Sequence, residues 1–328
     1  MQPFRPLIRN PHVLTILGNF WPRTLDERRF PVEAKLYETE PGVQILVHSQ
    51  QPHAASLGDI ILVHGLEGSS DAGYARSLAQ AALNAGYAVH RYNMRSCGGT
   101  EALCGSTLYH SGQTGDLLTV AREIVAHAHR PLYLAGFSLG GNVALKLAGE
   151  LGESGGDLLA GVIAVSTPID LAACVRNLGK PINAVYARRF LGRLKERIRR
   201  KERVSPGLFR LELLDEVTSV HQFDDTFTAP AFGFGTADNY YATQSSQRFL
   251  DAIRVPALVV QAKDDPLIPF AVYDHPAFAT NPCLRLLAVE HGGHVGFLAR
   301  GKQRFWLDGL LLEWLKETGN KVPAGLVS

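Results

Sequence analysis

Apolar and polar positions along the chain fall into two alternating kinds of segment. Short apolar runs bounded by Gly, Pro, Asp or Ser read as strands at Ala34–Glu38, Val43–His48, Ile60–His64, Ala88–Asn93, Leu132–Ala135, Gly161–Ser166, Ala257–Gln261 and Leu284–Val289. Between most of them apolar residues recur at helical spacing, which predicts helices over Gly73–Asn84, Gly115–Ala128, Leu139–Gly149 and Gln303–Glu317. Such alternation predicts an α/β fold, a mostly parallel central sheet flanked by helices. The pattern fails between Pro168 and Val255, where a basic helix is followed by an aromatic, Gly- and Asp-rich stretch with no buried-strand run. The chemistry-bearing motifs lie on both sides of this gap. The expectation is therefore a single domain over residues 1–328, with a cap inserted at about 170–250, after the strand that ends near Ser166.

Composition narrows the function classes. With 328 residues, 46% of them hydrophobic and 20% charged, the chain can bury a large core. A net charge of +2 is too slight to imply nucleic acid, and no nucleic-acid-binding signature is present. The four cysteines, Cys97, Cys104, Cys174 and Cys283, show neither a C-x-x-C pair nor zinc-site spacing. They read as reduced thiols of a cytoplasmic protein, with no metal role. Prolines and arginines interrupt the start, so neither a signal peptide nor an anchor is expected there. No window reaches the roughly 18 apolar residues of a membrane span.

The most informative chemistry sits at Gly136-Phe137-Ser138-Leu139-Gly140, a Gly-x-Ser-x-Gly turn between an apolar strand and an apolar helix. The strand must bend there abruptly into the helix, the serine takes strained angles, and the glycines make room where a Cβ would clash. This predicts a nucleophile elbow with Ser138 exposed at its tip. A serine hydroxyl needs a base to take its proton and a carboxylate to orient that base. With an elbow serine the chain order is Ser, then Asp or Glu, then His, each just past a strand. Two acids, Asp264 and Asp265, follow the Ala257–Gln261 strand. Asp265, directly before Pro266, is preferred as the acid, leaving Asp264 as a turn-capping neighbour. Two histidines, His291 and His294, follow the last strand. His294, after Gly292-Gly293, is preferred as the base.

Acyl transfer also needs two N–H donors facing the carbonyl oxygen as it becomes an oxyanion. One is expected from Leu139, the residue after the nucleophile. The other is assigned to Leu66, in the loop His64-Gly65-Leu66-Glu67-Gly68 that follows a buried strand. The His64 side chain is expected to be satisfied by backbone hydrogen bonds.

Taken together, Phe4 to Thr15, the His64-Gly65-Leu66-Glu67-Gly68-Ser69-Ser70 block, Asn93 to Gly99, Tyr109 to Gly112, the elbow, Asp264-Asp265-Pro266 and Gly292-Gly293-His294 resemble the YheT-like branch of the α/β-hydrolases (AB hydrolase family 4). The resemblance spans nearly the whole chain. It implies the α/β-hydrolase fold and a serine hydrolase in which Ser138, Asp265 and His294 cleave carboxylic esters of short, medium or lipid-like acyl chains through an acyl-enzyme, without a cofactor. Similar sequences have Gly where this chain has Ser96. An acyltransferase using the same acyl-enzyme, or a non-catalytic lipid-binding module, are the alternatives.

Two further features bear on partners. Ala187 to Arg203 carries nine basic residues against two acidic ones, with Phe190, Leu194 and Ile198 at every fourth position. The main reading is an amphipathic cap helix whose basic face is solvated. The alternative is weak contact with an anionic membrane surface. Phe223, Phe227, Phe232, Phe234, Tyr240 and Tyr241 are dense enough to line an acyl pocket or to fill a core. Arg95, Tyr109 and His110 are expected to anchor the loop beside the site.

Overall fold

In a computed structural model that describes residues 3–320, the strands are β1 (Glu33–Glu40), β2 (Val43–Gln50), β3 (Asp59–Val63), β4 (Ala88–Tyr92), β5 (Leu132–Phe137), β6 (Gly161–Val165), β7 (Ala257–Ala262) and β8 (Leu284–Val289). They form one sheet in the order β1-β2-β4-β3-β5-β6-β7-β8. β2 runs antiparallel to β1 and β4, and all other pairs are parallel. Every residue of β3 to β7 is buried, as expected of strands covered on both faces, which is why they read as mainly apolar runs, broken by Asp59 in β3, His90 and Arg91 in β4 and Gln261 in β7.

Helices of eight residues or more are α1 (Pro11–Phe20), α2 (Gly73–Asn84), α3 (Gly115–Ala128), α4 (Leu139–Leu151), α5 (Leu171–Leu178), α6 (Ala184–Val204), α7 (Ala237–Gln244) and α8 (Trp306–Gly319). Alternate strand residues face two cores. Ile60, Leu62, Tyr133 and Phe137 pack with α2 and α8, while Ile61, Val63 and Leu134 pack with α3, α4 and α6. The segment between β6 and β7 holds α5, α6 and α7 and adds no strand to the sheet. Helix α1 is absent from the hydrophobic pattern, because it is short and exposes Val13, Ile16 and Phe20. Its start is nonetheless well specified: Asn10 caps it, its side chain accepting the Val13 N–H at 3.1 Å, and Pro11 occupies the first turn.

Arg95 behaves as an anchor. Its guanidinium grips Asp116 at the start of α3 through two 2.6 Å hydrogen bonds and also reaches Thr107 and Glu40. His64 lies just past β3 with its ring fully enclosed. One ring nitrogen, Nδ1, donates to the Gly65 carbonyl at 2.8 Å, and the other, Nε2, accepts the Met94 N–H at 3.1 Å. That pairing fixes a neutral tautomer that shapes the loop, and burial lowers the pKa to about 4. Because the folded value lies below the unfolded one, near 6.5, the unfolded chain takes up the proton first as pH falls. The stability involved is present above pH 6.5 and is lost as pH drops toward 4. His64→Asn should therefore show a stability loss between pH 7 and pH 5 that is smaller than the wild type's by about 2 kcal/mol, measured by denaturant unfolding. Equal losses in the two proteins would contradict this assignment.

Candidate active site

Where β5 ends, the chain reverses into α4 through Ser138, held at φ +53° and ψ −122°. An L-residue rarely adopts such angles, and the strain is held in place by close backbone packing on both sides. A Cβ on Gly136 would overlap the Gly140 carbonyl, and one on Gly140 would overlap the Val63 carbonyl of β3. The Ser138 N–H donates to Val165 at the end of β6, at 2.8 Å. Ser138 is thus tied to the strands on either side of β5.

The three side chains preferred from the sequence form one hydrogen-bonded chain. His294 Nε2 lies 2.9 Å from Ser138 Oγ, and His294 Nδ1 lies 2.9 Å from Asp265 Oδ2. Asp265 also accepts hydrogen bonds from the N–H groups of Leu267 and Ile268, at 2.8 and 3.1 Å, and from Gln261 Nε2, at 3.2 Å. An ionised carboxylate only accepts, so Nδ1 carries the imidazole proton and Nε2 is left to accept from the serine hydroxyl. The side chain of Asp265 is 0% exposed, against 18% for Asp264.

The two rejected candidates have a partnership that the sequence did not reveal. Asp264 Oδ2 meets His291 Nδ1 at 3.0 Å, and Asp264 Oδ1 accepts the Gly293 N–H at 3.0 Å. This outer pair fastens the histidine loop to the turn after β7. Helix α1 holds the same loop from beneath. Thr15 Oγ1 accepts the His294 N–H at 2.8 Å, and Gly293 sits at φ +59° where a Cβ would come within 2.5 Å of the Pro11 carbonyl. The tandem Asp-Asp and His-x-x-His spacing was the available signal for the outer pair. Nothing in the sequence signalled the contribution of Thr15.

The loop after β3 passes directly over the serine, so that a Cβ on Gly65 would lie 3.0 Å from Ser138 Cβ. The N–H groups on either side of Leu66 are occupied: Gly65 donates to Tyr74 Oη at 2.8 Å and Glu67 to Tyr109 Oη at 2.9 Å. Among the described residues, no protein acceptor receives the N–H of Leu66 or that of Leu139 at the first position of α4. Both residues border the cavity that holds Ser138 and His294. The rest of that cavity is mainly apolar, walled by Leu171, Val175 and Leu178 of α5, Phe190 and Leu194 of α6, and Ile268. Cys174 also lines it, and burial pushes its thiol pKa well up, which keeps it protonated.

The open question of the aromatic cluster resolves both ways, and the reading of the basic helix needs correction. Of the six aromatic candidates, Tyr240 and Tyr241 border the cavity. Phe223 and Phe227 fill the core beneath α6, and Phe232 and Phe234 pack edge-on against His110 with ring centres 4.6 and 5.2 Å away. The basic face of α6 is not simply solvated either. Arg197 and Lys201 lie on the same side as Leu194 and Ile198 and are buried with them. Arg197 pairs with Glu67 at 3.0 Å, and Lys201 donates to the Glu101 carbonyl at 2.7 Å. Helical geometry puts positions 194, 197, 198 and 201 on one face, and the two cations that share it find partners outside the helix, Arg197 the Glu67 carboxylate and Lys201 the Glu101 backbone carbonyl.

Comparison with known proteins agrees with this architecture. Residues 60–300 match the family model for the α/β hydrolase fold. The chain is 35% identical over 262 residues to the "Putative esterase YheT" of Escherichia coli, covering 78% of this chain and 76% of that protein. It is 29% identical over 268 residues to a monoacylglycerol lipase of Saccharomyces cerevisiae, covering 78% of this chain and 58% of the lipase. Among solved structures, the Pyrococcus furiosus esterase Pf2001 superposes with a TM-score of 0.60 at 17% identity, covering 90% of this chain and 98% of the esterase, a likeness of fold alone. The chain belongs to the α/β-hydrolase family, in the branch that contains YheT.

Proposed function

We propose that this carboxylic ester hydrolase works through Ser138, His294 and Asp265. The observation that carries the reading is the continuous hydrogen-bonded chain from the Asp265 carboxylate through the His294 imidazole to the Ser138 hydroxyl. Ser138 Oγ attacks the ester carbonyl while His294 Nε2 takes its proton. The oxyanion is met by the N–H groups of Leu66 and Leu139. His294 then gives the proton to the leaving alcohol, and water repeats the sequence on the acyl-enzyme. Asp265 holds the imidazole in the required tautomer and stabilises its charged form.

The segment at about 170–250 acts in this reading as a cap over the cavity, and its apolar wall favours an acyl chain over a charged group. The lipase relative supports lipid-like substrates as the class to test first. A cytoplasmic location goes with the same reading, supported by four cysteines that are all free. Weak membrane-surface contact has its best support at the start of α6. Arg188, Arg189 and Arg193 are exposed there beside Ile182 and Val185, which are 72% and 70% exposed, and the Arg189 guanidinium stacks over Phe20 of α1, itself 66% exposed. Cations interleaved with apolar side chains suit anionic headgroups.

Two measurements test these readings. Ser138→Ala should abolish turnover of p-nitrophenyl esters, and Asp265→Asn should lower kcat by on the order of 10⁴ by leaving the wrong tautomer, with Asp264→Asn far milder. A greater loss in Asp264→Asn would move the charge relay to the outer pair. For the surface, the protein should sediment with vesicles of phosphatidylcholine and phosphatidylglycerol, and less so after Arg188→Glu, Arg189→Glu and Val185→Ser combined, with soluble-ester turnover preserved. Sedimentation that ignores these changes removes the membrane reading.

A further inference from the structure

Glu67 has an unusual environment for an acid in a surface loop. It is a non-glycine residue at φ +54°, a conformation that persists only where its surroundings hold it. Its backbone N–H donates to Tyr109 Oη at 2.9 Å, and the same hydroxyl donates back to Glu67 Oε1 at 3.0 Å. That oxygen also lies 3.0 Å from Arg197 Nη1 of α6, and both side chains of the ion pair are almost completely buried. The Arg197 guanidinium is stacked over the Tyr109 ring, 4.3 Å from its centre. From the turn before, Arg193 donates to the Glu67 carbonyl at 3.3 Å. One strained residue is thereby gripped at its N–H, its carbonyl and its side chain, and two of the gripping groups come from a helix about 130 residues further along the chain.

We infer that Arg197 is a positioning residue that, through Glu67 and Tyr109, fixes the Leu66 N–H toward the reacting carbonyl. This rests on the reading that Leu66 supplies an oxyanion donor. The peptide between Leu66 and Glu67 is oriented by the Glu67 N–H bond to Tyr109, and that orientation determines where the preceding N–H points. Were the Glu67 side chain released, the turn would keep the Gly68 N–H bond to the Gly65 carbonyl at 3.0 Å, but the left-handed residue would lose its buried side-chain anchor and the donor would be freer to swing from its aim. A buried ion pair is seldom retained for stability alone, since desolvation offsets much of its attraction. Here it joins the loop after β3 to α6 at the edge of the cavity, where Arg197 is a lining residue, and it makes the placement of α6 a condition for a competent oxyanion site. Movement of the inserted segment would in this way be felt at the reaction centre without any α6 group touching the ester.

The test combines kinetics with a tetrahedral mimic. Arg197→Met keeps the length of the side chain and removes its charge, and Glu67→Gln keeps shape and removes the other half of the pair. Both should lower kcat by about 10²-fold, the usual effect of losing one oxyanion donor, with KM for a short p-nitrophenyl ester changed less than about threefold. Affinity for an alkyl boronic acid, whose serine adduct places an oxygen in the oxyanion position, should fall in step with kcat/KM. The double variant should be no worse than either single one, because both break the same clamp. Arg203→Ala, an exposed cation of the same helix, should match the wild type. If Arg197→Met fails to fold, Glu67→Gln carries the same expectation, with thermal melting as its control. Wild-type kcat in folded Glu67→Gln, a change confined to KM, or boronate binding that stays tight would each overturn the proposal. Ser138→Ala separates this from failure of the underlying mechanism: turnover surviving there would sink the serine reading itself, whereas an inactive Ser138→Ala beside a fully active Glu67→Gln sinks only the clamp.

Discussion

Everything around the site depends on the contact of three backbone segments with no side chain between them. The end of β5 at Gly136, the first turn of α4 at Gly140 and the end of β3 at Val63 approach so closely that a Cβ at either glycine would overlap a carbonyl oxygen. Only that proximity allows a strand to reverse into a helix within one residue, and the residue at the reversal must take a left-handed conformation. Ser138 takes it at the expense of local strain, which the packed sheet on both sides sustains. The same geometry leaves the first N–H of α4 without an intrahelical partner, as at any helix start, and aims it at the space above the serine. In the proposed mechanism, nucleophile and donor thus come from one structural constraint.

The other half of the site is built from loops, and loops need fastening. The histidine loop is held at several points: Asp265 grips the His294 ring, Asp264 grips His291 and the Gly293 N–H, Thr15 accepts the His294 N–H from below, and Ser166 Oγ accepts the Val295 N–H. The opposite loop is held by the enclosed ring of His64 on one side of Leu66 and by Tyr109 on the other. A hydrogen bond of about 2.9 Å between imidazole and hydroxyl is useful only if both sides are prevented from drifting, because an error of an ångström in position is costly to catalysis. The polar groups that flank the reacting atoms are accordingly saturated, whereas the two N–H groups that face the cavity are left open.

Much of this could be read from the sequence, and what escaped shares one physical character. β3 to β7 were legible because strands buried on both faces are predominantly apolar, even though Asp59, His90, Arg91 and Gln261 are buried among them. The elbow was legible because its glycines are demanded by backbone contact, which leaves a short local pattern. The order of Ser138, Asp265 and His294 followed from where the sheet strands end. By contrast, α1 is short and leaves large apolar residues, Val13, Ile16 and Phe20, exposed, so its apolar positions do not mark one buried face even though its cap is well formed. The pairing of Asp264 with His291 left only the tandem Asp-Asp and His-x-x-His spacing as a trace, and that of Glu67 with Arg197, which joins residues distant in sequence, left no local pattern at all. For that reason a basic helix suggested a solvated face, although two of its cations are turned inward, Arg197 against the Glu67 carboxylate and Lys201 against the Glu101 carbonyl.

The account stands or falls on a single oxygen atom being the nucleophile. Reaction of the folded protein with a fluorophosphonate, followed by proteolysis and tandem mass spectrometry, reads that directly. The account predicts one adduct per chain, carried by Ser138 in the tryptic peptide Glu123–Lys146, since Pro131 protects the bond after Arg130, with no adduct after the protein is unfolded before exposure. Modification of another residue in the folded protein, or labelling of Ser138 that is equally strong in the unfolded chain, would contradict it.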